Sequence, residues 1–278
     1  MKRALVLGAV VGFGVIAIAV GQAPQQNAPA AGNAPRFPPI ESIENVAPNL
    51  YRITGQGGNS AVFVRDDGVL LVDTKLANNG QALLDQIKKV TNKPITHIVN
   101  THTHGDHTGS NSFFPASVEI VTQENTATNM KKMEAFQSAD GKVGLPDRTF
   151  KDKMTLFKGK ESVDLYYFGA GHTNGDAFVV FRDARVMHAG DLFATKGIKN
   201  VDKVITGHSD NMTWQDFVDY GEFNRLFLDH AKASLAAGKT PEQAAADLKL
   251  PAKFSAYNLT GRGGPAGNIG IIYNELKK

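Results

Sequence analysis

The stretch VNTHTHGDHTGS, residues 99–110, sets three histidines and an aspartate within six consecutive positions of a chain that holds only eight histidines. His102, His104, Asp106 and His107 follow directly on the apolar run ITHIVN (95–100), which reads as a strand. Gly105 relaxes the turn between them. Imidazole and carboxylate are the nitrogen and oxygen ligands that zinc takes, and a catalytic zinc needs about three of them with one position left open. Donors at the C-terminal end of a strand also stand where α/β sheets carry their sites. The stretch therefore reads as a metal-binding turn rather than a solvated polar loop.

Three further segments repeat this placement. GAGHTNGD sets His172 in a glycine-flanked turn between two strands, VMHAGDLF sets Asp191 just after an apolar run, and VITGHSD does the same for His208. Each donor lies just past a short β-run, beside a glycine.

Working outward, LYRIT (50–54), SAVFVR (60–65) and VLLVDT (69–74) are separated by Gly- and Asp-containing turns and predict a meander. QALLDQIKKV (81–90) sets Leu83, Leu84, Ile87 and Val90 on one helical face, and Asn92 and Pro94 end it. VEIVT (118–122), SVDLYYFG, AFVVF and RVMHAG predict further strands, with a helix expected over 123–135. The last third reads as helical. Thr213 is placed to cap a helix with Trp214, Phe217, Val218, Leu228 and Ala231 on one stripe, closing near Gly238, and TPEQ (240–243) is a capping box with proline at the first helical position. Meandering strands followed by strands alternating with helices imply an α/β domain over 45–278.

The N-terminus reads differently. Lys2 and Arg3 precede 17 apolar, glycine-interrupted residues (4–20), then small and polar ones, the pattern of a secretory signal peptide over 1–22. The alternative is an uncleaved anchor, since a spanning helix needs about 20 such residues. Residues 23–44, rich in Pro, Ala, Gln and Asn, read as a flexible tether. The expected location is periplasmic or secreted, without a stable membrane partner once the signal is cleaved. Net charge is +3 with no basic run elsewhere, so nucleic acid is not an expected partner. The chain has no cysteine, which excludes disulfides, thiolate nucleophiles and cysteine metal ligands.

Taken together, H-x-H-x-D-H at His102, His104, Asp106 and His107, followed by His172, Asp191 and His208, resembles the motif series of the metallo-β-lactamase superfamily. Asp73, at the end of VLLVDT, corresponds to that family's ligand-orienting carboxylate. The resemblance implies an αββα sandwich with two zinc ions (Zn2+) per chain. It assigns His102, His104 and His172 to one ion, Asp106, His107 and His208 to the other, and Asp191 to both. It also implies a hydrolase using a metal-bound hydroxide on a small-molecule substrate, with Asp106 holding the nucleophile and moving its proton. An aspartate rather than a cysteine at position 191 argues against the commonest zinc β-lactamase class, and His104 in place of a glutamate argues against the diiron flavoproteins of this fold. Three functions stay open: an exported dinuclear zinc hydrolase of a small ester, thioester, lactone or amide; a β-lactamase-like enzyme; and a secreted metal-binding protein with weakened catalysis.

The remaining features read as structural. His97 is expected in the core or at the surface, His188 beside the site or structural, and His230 solvated. Trp214 reads as packing and GRGGPAG (261–267) as a terminal loop. DKVIT (202–206) is expected as a strand parallel to RVMHA. Relatives usually spend more residues between the last two motifs, so the short connection from Asp191 predicts at most one helical turn between 192 and 202, and a His208-side metal site weaker than the three-histidine one.

Overall fold

Strands that read as unbroken apolar runs are buried on both faces, and here the two faces pack on different partners. The computed structural model describes residues 38–192, 201–257 and 263–277, apart from 41 and 209. The expected signal peptide, most of the tether and most of the 192–202 connection lie outside the described residues. One sheet joins β1 (Ile43–Ala47), β2 (Leu50–Ile53), β3 (Ser60–Val64), β4 (Val69–Val72), β5 (Ile95–Val99), β6 (Glu119–Gln123) and β7 (Arg148–Phe150) in chain order. The second joins β8 (Lys153–Leu156), β9 (Val163–Tyr166), β10 (Phe178–Phe181), β11 (Val186–His188), β12 (Lys203–Ile205) and β13 (Met212–Thr213), again in chain order.

The period-2 alternation of a strand divides the apolar residues into layers. Leu70 and Val72 of β4 meet Val179 and Phe181 of β10 in a core between the sheets. Val69 and Leu71 face the other way, onto Leu83 and Ile87 of α1 (Gly80–Ile87). Phe178 and Val180 likewise face outward, onto Phe217 of α5 (Trp214–Ala236). Helix, sheet, sheet and helix follow one another, so the fold is the αββα sandwich expected. Each fully buried aliphatic side chain in these layers contributes about 1.5–3 kcal/mol.

Between the sheets' strands lie α2 (Gly105–Thr108), α3 (Glu124–Met130) and α4 (Ala139–Lys142). The C-terminal α6 (Pro241–Ala246) and α7 (Gly264–Leu276) close on α5 through Phe227, Leu228, Ala244, Ile269 and Ile272. Capping boxes at Thr213/Asp216 and Thr240/Gln243 start α5 and α6 where the sequence expects them. No described helix is long and apolar enough to cross a membrane.

Several expectations need correction. Val218 is 43% exposed: it sits one position past Phe217, so a helix that buries Phe217 turns it to solvent. The helix expected over 123–135 stops at Met130, and a 3-10 turn follows at Glu134–Phe136. His230 is half-buried rather than solvated, because its Nε2 meets the Ala244 carbonyl at 2.7 Å and ties α5 to α6. The described part of GRGGPAG opens α7 instead of forming a loop, with Gly263 left-handed at φ 86° as its N-cap and proline in the first turn. β1 begins at Ile43, inside the stretch read as tether.

Candidate metal centre

Parallel pairing carries the donors to one edge. β4, β5 and β6 run parallel, with Val72 paired to Val99 and Val99 to Val121. Asp73 therefore emerges beside the turn that starts at Asn100 and Thr101. In the second sheet β11 and β12 are parallel with His188 paired to Ile205. Asp191 and His208 each follow their paired residue by three positions and arrive side by side. The two sheet ends face each other, and among the predicted residues none is left out: His102, His104, Asp106, His107, His172, Asp191 and His208 all converge, with Asp73 behind them.

Two groups of donors each lie close enough to hold one ion, His102, His104 and His172, and Asp106, His107 and His208, and a third, His102, His107 and Asp191, overlaps both. Asp191 lies between the first two. Its Oδ2 is 3.3 Å from His172 Nε2, 3.9 Å from His102 Nε2 and 3.2 Å from His208 Nε2, while its Oδ1 is 3.3 Å from His107 Nε2. Asp106 Oδ2 reaches 3.3 Å from His208 Nε2.

Behind the donors, Asp73 is fully buried and held at φ 60°, a left-handed conformation that costs a non-glycine residue of order 1–3 kcal/mol. That turn lets its carboxylate accept from Thr101 N and Thr101 Oγ1, both at 2.8 Å, and from His107 Nδ1 at 2.7 Å. The hydroxyl of Thr101, having spent its proton on Asp73, accepts from His102 Nδ1 at 3.0 Å. This network puts the proton on Nδ1 of both rings and aims each Nε2 lone pair at the centre.

The electrostatics suit a cation. Burial, reinforced by neighbouring imidazoles, holds His102 well below the ordinary histidine value and His172 down to about 3, so both keep free electron pairs. Burial also works against charge on His107, yet Asp73 and Asp191 hold its proton affinity well above the usual value, so a cation at its Nε2 has to displace a proton that these carboxylates retain in its absence. Asp191, against its burial, is held well below the carboxylate range by His107 and His208. Its Oδ1, His102 Nε2 and His107 Nε2 are buried polar atoms without a hydrogen-bond partner. Such atoms are rare and each needs an explanation. A cation among them satisfies all three, and nitrogen and oxygen donors of this kind fit zinc.

The other histidines are elsewhere. His97 lies on β5, 3.2 Å from Glu119 and edge-on to Phe157. His188 is buried, its Nε2 bonded to the Asn59 carbonyl at 2.9 Å and its Nδ1 accepting from Gly190 N. Sequence reasoning did not single out Thr101, Asn59, Gly58 or Lys75, all of which support the centre. Gly58 packs flat against His107, and a Cβ there would run into the imidazole ring. The one available signal was a lysine three positions past the apolar strand VLLV, at a position that turns out to be fully buried.

Comparison with known proteins places this geometry. The chain is 27% identical over 201 residues to Metallo-beta-lactamase IND-1 of Chryseobacterium indologenes, covering 71% of this chain and 78% of that protein. The solved structure of the stereoselective inverting sec-alkylsulfatase Pisa1 from Pseudomonas sp. superposes with a TM-score of 0.70 at 15% identity, covering 84% of this chain. This chain spans 50% of that alkylsulfatase. The DIM-1 metallo-beta-lactamase superposes with a TM-score of 0.56 at 18% identity, covering 68% of this chain and 99% of that one. A family model, that of the metallo-beta-lactamase superfamily, matches residues 53–226, which take in Asp73 and every converging donor. The chain belongs to the metallo-beta-lactamase superfamily.

Proposed function

We propose that this protein is an exported dinuclear zinc hydrolase of small esters, thioesters, lactones or amides. The observation that carries the reading is the pair of donor groups with Asp191 in reach of both. One ion would take His102, His104 and His172, the other Asp106, His107 and His208, with Asp191 shared. When bound, such ions supply Lewis acidity to the attacked group and lower the pKa of water.

The chain's own residues do the rest. Asp106 is partly open to solvent beside the buried His107. Its carboxylate accepts the proton of the attacking water as the new C–O bond forms. The same proton then passes to the leaving oxygen, sulfur or nitrogen as the scissile bond breaks. Asp73 and Thr101 keep His107 and His102 in the tautomer that leaves Nε2 free. The surrounding buried polar atoms are fixed before substrate arrives, so little reorganisation accompanies the reaction.

The similarity to Metallo-beta-lactamase IND-1 favours a second reading, hydrolysis of the β-lactam amide. Metal analysis of the purified protein, followed by turnover of ester, thioester, lactone and nitrocefin substrates, separates the readings. About two zinc ions per chain with turnover of the first three classes is expected. Nitrocefin as the best substrate would favour the second reading, and metal without any turnover would leave a metal-binding protein. Absence of metal after reconstitution with zinc at neutral pH would refute all three. Cell fractionation tests export, and cytoplasmic recovery of the full-length chain would refute it.

A further inference from the structure

A segment without regular secondary structure, residues 54–59 (TGQGGN), crosses the site and touches both of its halves. Gly55, Gln56 and Gly57 are all left-handed, with φ of 90°, 49° and 122°. On one side the strap holds the H-x-H-x-D-H turn, since Gly58 N donates to the Asp106 carbonyl at 3.0 Å. On the other it holds the His208 turn. Asn59 N donates to the Gly207 carbonyl at 2.5 Å and Asn59 Nδ2 to the Thr206 carbonyl at 2.9 Å. Asp106 and His208 thus owe their spacing to one short and conformationally unusual piece of backbone.

Lys75 secures that piece. Its side chain is fully buried, and its Nζ donates to the carbonyls of Ile53 at 2.7 Å and Gly58 at 2.6 Å, one on each side of the left-handed run. Among the described residues no carboxylate lies within ion-pair distance of it. Lys75 itself adopts φ 70°, and its own backbone grips the other wall of the site, its carbonyl accepting from Gly109 N at 2.9 Å. A buried ammonium without a carboxylate is costly, and an apolar side chain of the same length would fill the space at lower cost. What an apolar residue cannot do is fasten two carbonyls of an irregular strap.

We propose that Lys75 is a positioning residue of the metal centre, acting through the strap 54–59 to hold Asp106 and the His208 turn at their common spacing. The inference rests on the metal reading above. Lys75 touches neither substrate nor donor atoms; it acts on the Asp106/His107/His208 group and leaves the His102/His104/His172 group largely alone. Residues that orient ligands from behind typically affect metal affinity by about 10–100-fold when removed.

The experiment is zinc competition against a chromophoric chelator, with both affinities measured for the wild type, Lys75→Met, Asn59→Ala and the double variant. Lys75→Met should weaken one ion by about 10-fold or more and the other by less than about 3-fold. Asn59→Ala, which frees the far end of the same strap, should weaken the same ion, and the double variant should be no weaker than the worse single by more than about 3-fold. Equal weakening of both ions, an unaffected Lys75→Met, or multiplicative losses in the double variant would overturn the inference. A zinc-free wild type would remove the metal reading and this inference together, whereas wild-type binding with an unaffected Lys75→Met would remove this inference alone.

A wild-type measurement avoids variants that fail to fold. Coupling is reciprocal, so zinc must tighten Lys75 if Lys75 tightens zinc. Brief acylation with acetic anhydride, read by mass spectrometry, should label Lys75 more slowly in zinc-loaded than in zinc-stripped protein, relative to the exposed Lys132. Equal relative labelling in the two states would overturn the inference.

Discussion

Replacing Asp73 by asparagine removes one charge and changes almost no volume. The carboxylate accepts three hydrogen bonds, from Thr101 N, Thr101 Oγ1 and His107 Nδ1. An amide keeps one oxygen, which stays with Thr101 N because that donor is fixed backbone. Its NH2 then faces Thr101 Oγ1 and His107 Nδ1. His107 has to accept at Nδ1 and move its proton to Nε2, the nitrogen aimed at the centre, or else lose the bond. A buried hydrogen bond to a charged group is worth about 1.5–3 kcal/mol. At 1.4 kcal/mol per tenfold, that corresponds to zinc held about 10–100-fold more weakly on the His107 side. His102 feels the change only through Thr101 and should lose less. Chelator competition at neutral pH measures both affinities, and 15N NMR of the His107 ring reports which nitrogen carries the proton. Asp73→Asn protein that keeps both ions within about 3-fold of wild type, with the His107 tautomer unchanged, would refute this account of the centre.

Other outcomes follow from the same geometry. His208 is 38% exposed whereas His102 and His172 are buried, so stepwise chelation should remove zinc in two separable stages, and a single cooperative loss would contradict this. Asp106→Ala should lower kcat by about 100-fold or more, the usual range for a lost proton-transfer group, while His97→Ala leaves it nearly unchanged. Steady-state kinetics showing equal effects would mean the roles are misassigned. Burial pushes the Asp176 carboxyl up to about 6, so the folded chain holds that proton to higher pH than the unfolded chain. The stability associated with it is present at low pH and is lost as pH rises from about 4 through 6, on the order of 2–3 kcal/mol. Zinc-free Asp176→Asn should therefore gain on the wild type in urea unfolding between pH 4.5 and 7.5. A constant difference across that window would refute the shift.

The donors were legible because they sit in short glycine-flanked turns after apolar runs, a local pattern that needs no knowledge of the partner sheet. The sandwich was legible for a related reason: runs such as VLLV and FVVF, apolar at every position, require packing on both faces. What stayed hidden depends on contacts between distant segments. Lys75 reads as an ordinary charged residue until Ile53 and Gly58 are seen to close over it. His230 reads as a solvated helical residue until α6 folds back to offer the Ala244 carbonyl. Val218 reads as part of the buried stripe because apolar character alone does not fix helical phase; Phe217 and Phe223 set it. The glycine-rich GRGGPAG lacks apolar periodicity, yet its proline and left-handed Gly263 start a helix.

The division of the donors between two sheets has a kinetic side. His172 meets His104 across 68 residues of chain, and Asn59 meets Thr206 across 147. Neither sheet alone can assemble the centre, so high-affinity metal uptake is possible only after the halves have docked, late in folding and dominated by non-local contacts. Until then the H-x-H-x-D-H turn is an open chelating loop with half its partners missing. Once docked, an ion held jointly by His104 and His172 would act as a staple across the seam. Closing a loop of that length in the unfolded chain is worth roughly 4 kcal/mol of entropy for a covalent cross-link, and a reversible ion approaches that value only while it stays bound. Stripping the metal should accordingly loosen the junction of the two sheets as well as abolish turnover, and the rate at which zinc becomes resistant to a chelator during refolding is a clock for the closing of the sandwich.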